Sequence, residues 1–367
     1  MERINLFDKL RVDTEPCRSI KETISKIKPI NKEVMKKARE RLDNLTKPLG
    51  SLGRIEEIAE RISGIKGHLT PVIKQKVIFI LAGDHGVVAE GVSAYPVEVT
   101  AQMVYNFAGG GAGINVLARH VGARIIVVDM GVATDLEPRP EIVNKKVAYG
   151  TKNIARGPAM SYEQAIQSIK TGMELVEDEL SRGVDIIGTG DMGIGNTTSS
   201  SAITAAITGT DVREVTGRGT GIDDAILEHK IEVIRQALEI NQPNPRDLID
   251  TLAKVGGFEI GGLVGVILAG AAHQLPVVLD GFIVGAAGLI AYSLAPQVKD
   301  YLFAAHCSVE RGHKIILDKM GLEPLFDLEL RLGEGTGAAL GIGIIEAATK
   351  ILNEMATFEE ASVSKKL

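Results

Sequence analysis

The stretch VDIIGTGDMGIGNTTSSS (184–201) decides the reading of the fold. Its opening residues, Val184–Ile187, form a short β-branched run of the kind that makes a buried strand. A glycine loop follows, and Asn, Thr and Ser residues then open a helix. Strand, glycine turn and helix in that order make half of a βαβ unit, whose parallel strands are covered by helices on both faces. The pattern recurs in both directions along the chain. Val77–Leu81, Arg124–Asp129, Val277–Leu279 and Leu302–Ala304 read as further strands, most leading into a glycine-rich turn and a helical pattern. The expected fold is α/β, a Rossmann-like parallel sheet covered by helices.

The two ends of the chain differ from this middle. Residues 19–66 read as helical, because KETISKIKPINKEVMKKARERLDNL (21–45) carries charged and apolar residues at helical spacing, with a break near Pro29. After the turn TKPLG (46–50), Ser51 is expected to cap a second helix running through Ile65. A closing helix is expected from Ala338 to Glu354, and the polar tail from Ser362 to Leu367 is expected to fray. The organisation read from this is a large α/β domain over 70–330, with a smaller helical domain formed by 1–69 and 335–367.

Composition removes several classes. Two Cys in 367 residues exclude a disulfide framework, and no CxxC or Cys/His cluster suggests zinc. A net charge of −6 gives no reason to expect nucleic acid or an anionic membrane as partner. The opening MERINLFDKLRVDTEP lacks a continuous apolar core, so no secretory signal is read and a cytoplasmic location is expected. The most membrane-like stretch, Ile260 to Ala295, is interrupted by His273, Gln274, Pro276 and Asp280, and reads as a buried strand between buried helices. The unusual number is 41 Gly, which suggests many tight turns where backbone meets a ligand.

In an open parallel sheet, ligands bind outside the carboxyl ends of the strands. The residues that follow the expected strands are GDHG (83–86), DMG (129–131), GTGDMGIGNTT (188–198), DG (280–281) and HCS (306–308), and all belong on one rim. The loop before the Asn196-Thr197 helix start offers backbone N–H groups and hydroxyls, an anion site most naturally for phosphate; a close helix–sheet contact with hydroxyl caps is the competing reading. It lacks the Lys and Ser/Thr of a Walker loop. Gly188, Gly190 and Gly193 match GxGxxG formally, but no acidic residue closes a second strand at the distance a nicotinamide-dependent oxidoreductase needs.

GRGTGIDD (217–224), with Lys230 in the next helix, is open between a second backbone nest and a capped turn beside a solvated lysine. Asp84-His85 is open between a catalytic pair, half a metal site, and an aspartate that holds loop backbone beside a locally satisfied histidine. No second cluster has metal-ligand spacing, so no metal is expected. Gln102 is equally able to face solvent. Glu334, between glycines at a helix start in LRLGEGTGA (330–338), is either a favourable N-terminal charge or an accessible general base. Cys307 reads as a small buried apolar group, and Ser308 sits within reach of a ligand.

Five segments together resemble one family: LTKPLGSLGRIE (45–56), AGDHGVVAEGVSAYPVEVTAQM (82–103), the run 188–201, GRGTGIDD (217–224) and LRLGEGTGAAL (330–340). They are similar, in the same order from about residue 31 to about residue 355, to the nicotinate-nucleotide–dimethylbenzimidazole phosphoribosyltransferases. These enzymes make the lower-ligand nucleotide of cobalamin. The resemblance implies a homodimer with nicotinate mononucleotide and 5,6-dimethylbenzimidazole as substrates, α-ribazole 5′-phosphate and nicotinate as products, and no cofactor. An alternative within the class is transfer to another benzimidazole, a purine or a phenol.

The resemblance also implies roles. Glu334 falls on the family's base, and Asp191 stands where a longer Glu is expected, near the ribose. Gly193, Gly195, Asn196, Thr197 and Lys230 match the phosphate end; Asp280, Gly281 and Ser308 match the nucleotide side. Ser93, Tyr95, Gln102, Leu332 and Gly333 match the base pocket, with Tyr95 in place of a small residue. The chemistry agrees with so short a set of groups. Nicotinate departs as a neutral ring nitrogen, so no general acid is needed, and one carboxylate suffices to take the proton from the incoming benzimidazole.

Overall fold

Among the described residues, six strands form one parallel sheet: β1 (Lys76–Gly83), β2 (Ala123–Gly131), β3 (Ile142–Asn144), β4 (Ile186–Met192), β5 (Val277–Leu279) and β6 (Leu302–Ala304). The computed structural model describes residues 15–364, so expectations for the chain start and the last three residues lie outside it. The strand order is β3-β2-β1-β4-β5-β6. It reverses between β1 and β4, the kind of switch point beside which open α/β sheets bind ligands. β1 is buried along its whole length, as its run of apolar residues requires when helices cover both faces.

Helices Gly113–Val121 and Thr336–Glu354 lie on one face of the sheet; Phe258–Ala272 and Phe282–Leu294 lie on the other, with Tyr162–Leu180 packed outside Phe258–Ala272. The stretch Ile260 to Ala295 is accounted for by these two buried helices flanking β5. Among the described residues no helix is long and apolar enough to cross a membrane. Gly262 lets its helix settle on the sheet, since a Cβ there would come within 2.5 Å of Leu81 Cδ2 and 2.8 Å of Met130 Cε.

β4 differs from its sequence reading. The strand begins at Ile186 rather than Val184, and continues through Gly188 and Gly190 to Met192, where a loop is expected from the sequence. Asp185 is engaged instead in accepting the backbone N–H groups of Lys74 and Gln75, each at 2.8 Å. Glycine disfavours a strand locally, but here close packing overrides propensity. A Cβ on Gly188 would lie 2.9 Å from Ile78 Cγ1 and 3.1 Å from Ile342 Cδ1. β3 has no counterpart in the sequence reading. It is three partly exposed residues on the sheet edge, paired only with β2.

The N-terminal helical segment breaks as expected, into Glu15–Lys26 and Lys32–Asn44, and Asn31 caps the second by accepting the Val34 N–H. The next helix starts at Arg54, not Ser51. Ser51 instead donates its N–H to the Pro48 carbonyl, within a turn shaped by Gly50 and Gly53 at positive φ. Arg39 bonds Glu56 and Glu60 across the pair Lys32–Asn44 and Arg54–Lys66. The segment after Asn44 meets the chain's far end, with Thr46 N–H donating to Ala356 and Phe358 N–H to Asn44, each at 3.0 Å. Helix Glu15–Lys26 lies against Tyr162–Leu180 and Phe258–Ala272.

Candidate active site

The site grows from three chain reversals on the carboxyl rim. The first follows β4. Asp191 is the penultimate residue of the strand, and the loop 193–195 turns at Gly195 (φ 93°) into helix Asn196–Thr208. Asn196 Nδ2 donates to Asp191 Oδ2 at 2.8 Å, so the helix start holds the strand-end carboxylate. Burial pushes the Asp191 carboxyl well above its ordinary value, and the neighbouring charges of Asp280 and Glu259 push it the same way.

The second reversal precedes helix Thr336–Glu354. Gly333, Glu334 and Gly335 have φ of 78°, 62° and 89°, three successive left-handed residues of which only Glu334 carries a side chain. A non-glycine residue held this way costs on the order of 1–3 kcal/mol, and such residues cluster where function needs the geometry. Asp280, at the end of β5, holds the loop: its Oδ2 accepts the Gly335 N–H at 2.9 Å and its Oδ1 the Ala338 N–H at 3.1 Å. Glu334 is buried, and its Oε2 has no hydrogen-bond partner among the described residues. Burial, with the Asp280 charge adding to it, pushes the Glu334 carboxyl up to about 7.

The third reversal is the segment after β6, where Glu310 meets the loop 217–221. Glu310 Oε1 accepts the Gly219 N–H at 2.8 Å. Lys230 Nζ donates to Thr197 Oγ1 in the first turn of helix Asn196–Thr208 at 2.8 Å. Burial pulls the Lys230 ammonium down to about 8, against the opposing charge of Glu310.

These reversals enclose one cleft. Of the residues singled out in the sequence, Asp191, Gly193, Asn196, Thr197, Gly281, Ser308, Leu332, Gly333 and Glu334 line it. Gly195, Lys230 and Asp280 stand behind the wall, acting through the residues that face the cleft. Ser93, Tyr95 and Gln102 are not brought into it: Tyr95 and Gln102 are exposed, and Ser93 Oγ accepts the Tyr95 N–H. Two charged lining residues, Glu310 and Arg331, escape the sequence reading. Arg331 is legible only as part of the Glu334 motif, and Glu310 carries no motif of its own. Among the described residues no three His, Cys, Asp or Glu side chains are placed to hold a metal ion.

A glycine loop at a helix start suits an anion, and an unpartnered carboxylate some way along the same cleft suits proton abstraction. A parallel sheet whose strand order reverses beside such a cleft defines an α/β enzyme of the nucleotide-using class. A phosphoribosyltransferase family model matches residues 27–363. The chain belongs to this family, that of the nicotinate-nucleotide–dimethylbenzimidazole phosphoribosyltransferases. It is similar to the protein of that name from Geotalea uraniireducens, with 59% identity over 346 residues, 94% of this chain and 98% of the relative. The Geobacter sulfurreducens protein of the same name is 58% identical over 344 residues, 94% of this chain and 98% of its own. Among solved structures, CobT from Thermus thermophilus superposes with a TM-score of 0.88 at 45% identity, covering 91% of this chain and all of that one.

Proposed function

We propose that the chain transfers the phosphoribosyl group of nicotinate mononucleotide to 5,6-dimethylbenzimidazole, releasing nicotinate and forming α-ribazole 5′-phosphate with inversion at C1′. The observation that carries this reading is Glu334: a buried carboxylate with one unpartnered oxygen on the cleft wall, raised to about 7. A general base works best when its pKa lies near the working pH. One ring nitrogen of the benzimidazole attacks C1′ from the face opposite nicotinate, and Glu334 takes the proton from the other nitrogen. The electron pair of the breaking C1′–N bond returns to the pyridine ring, so nicotinate leaves without needing a proton. The backbone of Gly193–Thr197 receives the phosphate, supported from behind by Lys230 through Thr197. Asp191 stands beside Gly333 and Asn196, where a carboxylate would stabilise positive charge developing on the ribose.

Leu332, at the cleft edge, is 59% exposed. An open apolar wall discriminates weakly among flat bases, so the same reading includes transfer to other benzimidazoles, purines or phenols. It also includes a homodimer, checked by light scattering. The test of the reaction is incubation with nicotinate mononucleotide and a panel of bases, with products identified by mass. Base-dependent nicotinate release with an α-linked nucleotide supports the proposal; no release with any base overturns it.

A further inference from the structure

Asp84 and His85, which follow β1, are buried but do not line the cleft. His85 Nε2 lies 2.6 Å from Glu259 Oε1, and its Nδ1 lies 2.9 Å from Ser199 Oγ. The chemistry of a nucleophilic Ser-His-Glu triad does not apply, because Ser199 and Glu259 are wholly buried and reach no substrate. What the imidazole joins is informative instead. Ser199 belongs to helix Asn196–Thr208, whose start carries the phosphate loop, and Glu259 to helix Phe258–Ala272, seated on the sheet. His85 is also the floor of that loop: a Cβ on Gly195 would stand 3.1 Å from His85 Cβ, and one on Gly193 3.6 Å from His85 Cδ2.

Asp84 reaches the same loop by a second route. The Ile194 N–H donates to Thr100 Oγ1 at 3.1 Å, and the Thr100 hydroxyl bonds the Asp84 carboxylate. Asp84 Oδ2 accepts the Ala133 N–H at 2.7 Å, which anchors it to the segment after β2. A loop made of Gly193, Ile194 and Gly195 has almost no side chains with which to hold itself. Its backbone needs an external brace to stay aimed at an anion.

We infer that Asp84, His85 and Glu259 are positioning residues: with Thr100 and Ser199 they brace loop 193–195 so that its backbone receives the phosphate of the donor. This rests on the reading above that the loop takes phosphate. The test is calorimetric binding of ribose 5-phosphate and, separately, of nicotinate riboside to the wild-type chain and to Ser199→Ala, Thr100→Val and His85→Asn. Ser199→Ala removes one hydroxyl and keeps the test available should His85→Asn not fold. Ribose 5-phosphate affinity is expected to fall about tenfold, the weight of one well-placed buried hydrogen bond, while riboside affinity stays within about twofold. In turnover, KM for nicotinate mononucleotide rises, and KM for the base and kcat do not. Equal losses for riboside and ribose 5-phosphate, or no loss for either, overturn the brace. Wild-type protein that does not bind ribose 5-phosphate overturns the phosphate reading and the brace together, whereas wild-type binding that the variants match overturns the brace alone.

Discussion

Gly190 of β4 lies flat against the backbone of Glu334: a Cβ on Gly190 would come within 2.6 Å of both the carbonyl carbon and the carbonyl oxygen of Glu334. The central strand of the sheet therefore sets the height of the loop that carries the carboxylate. Gly190→Ala is expected to lift that loop. Overpacking of this kind costs about 1–3 kcal/mol, and a displacement near 1 Å at a reacting group costs about a hundredfold in rate. Denaturant unfolding and steady-state turnover measure the two effects; an unchanged kcat would show that the contact does not set the loop.

Glu334 must be ionised to accept a proton, and its carboxyl is raised to about 7. Turnover per unit of donor is therefore expected to climb with pH through about 7 and then level off. Glu334→Gln is expected to abolish this limb and to lower kcat by about 10²–10⁴, the usual weight of general acid–base catalysis. Its binding of nicotinate mononucleotide should remain near the wild-type value. Initial rates over a pH series check both; a pH limb that survives in Glu334→Gln assigns it to another group.

The same shift predicts stability. A carboxyl whose folded pKa lies above its unfolded one takes up protons on folding, so its contribution favours the folded state at low pH. That contribution is lost as pH rises from about 4.5 through about 7. Glu334→Gln should thus be more stable than the parent at pH 8, by about 1–3 kcal/mol, with the gain vanishing below about pH 4.5. Thermal unfolding at the two pH values reads this directly. A variant less stable than the parent at pH 8 would contradict it.

Asp280 accepts backbone N–H groups on both carboxylate oxygens. Asn offers one acceptor and sets an NH₂ group against the other N–H, so Asp280→Asn is expected to cost about 1–3 kcal/mol. It also removes the charge that helps raise Glu334. The acid limb of the pH–rate profile should move to lower pH, which a merely destabilised loop would not produce.

Lys230 is wholly buried and donates to Thr197. Lys230→Met keeps most of the apolar stem and removes the charge. The expected result is a rise in KM for the nucleotide of about tenfold or more with the base KM unchanged, the signature of lost binding to the phosphate end. A matching rise in both KM values would place Lys230 in general packing instead.

Much of the site is legible in the sequence because its residues lie in local motifs. The run 188–201 announces a loop entering a helix, and LGEGTG (332–337) announces a carboxylate stripped of bulky neighbours. Asp280 reads toward the nucleotide; what the sequence does not show is that its carboxylate also holds the Glu334 loop, a contact 55 residues away along the chain. Glu310 gives no local sign, because what makes it a cleft residue is the approach of loop 217–221. Ser93, Tyr95 and Gln102 read as base pocket, and the single chain leaves them outside the cleft.

Sequence alone determined the alternation of strand, glycine turn and helix, the break between the N-terminal helices and the membership of a family, since each of these depends on residues close in the chain or on motifs in fixed order. The tertiary structure decided what depends on distant surfaces meeting. It carried β4 on through Gly188 and Gly190, because packing of the helix Thr336–Glu354 and the Glu334 loop there outweighs the weak strand preference of glycine. It added β3 as an edge strand held only by β2. It also buried five carboxylates, Asp84, Asp191, Glu259, Asp280 and Glu334, in one region of the fold, and the burial of Glu334 itself, with the charge of Asp280 adding to it, gives Glu334 a proton affinity that no local stretch of sequence records.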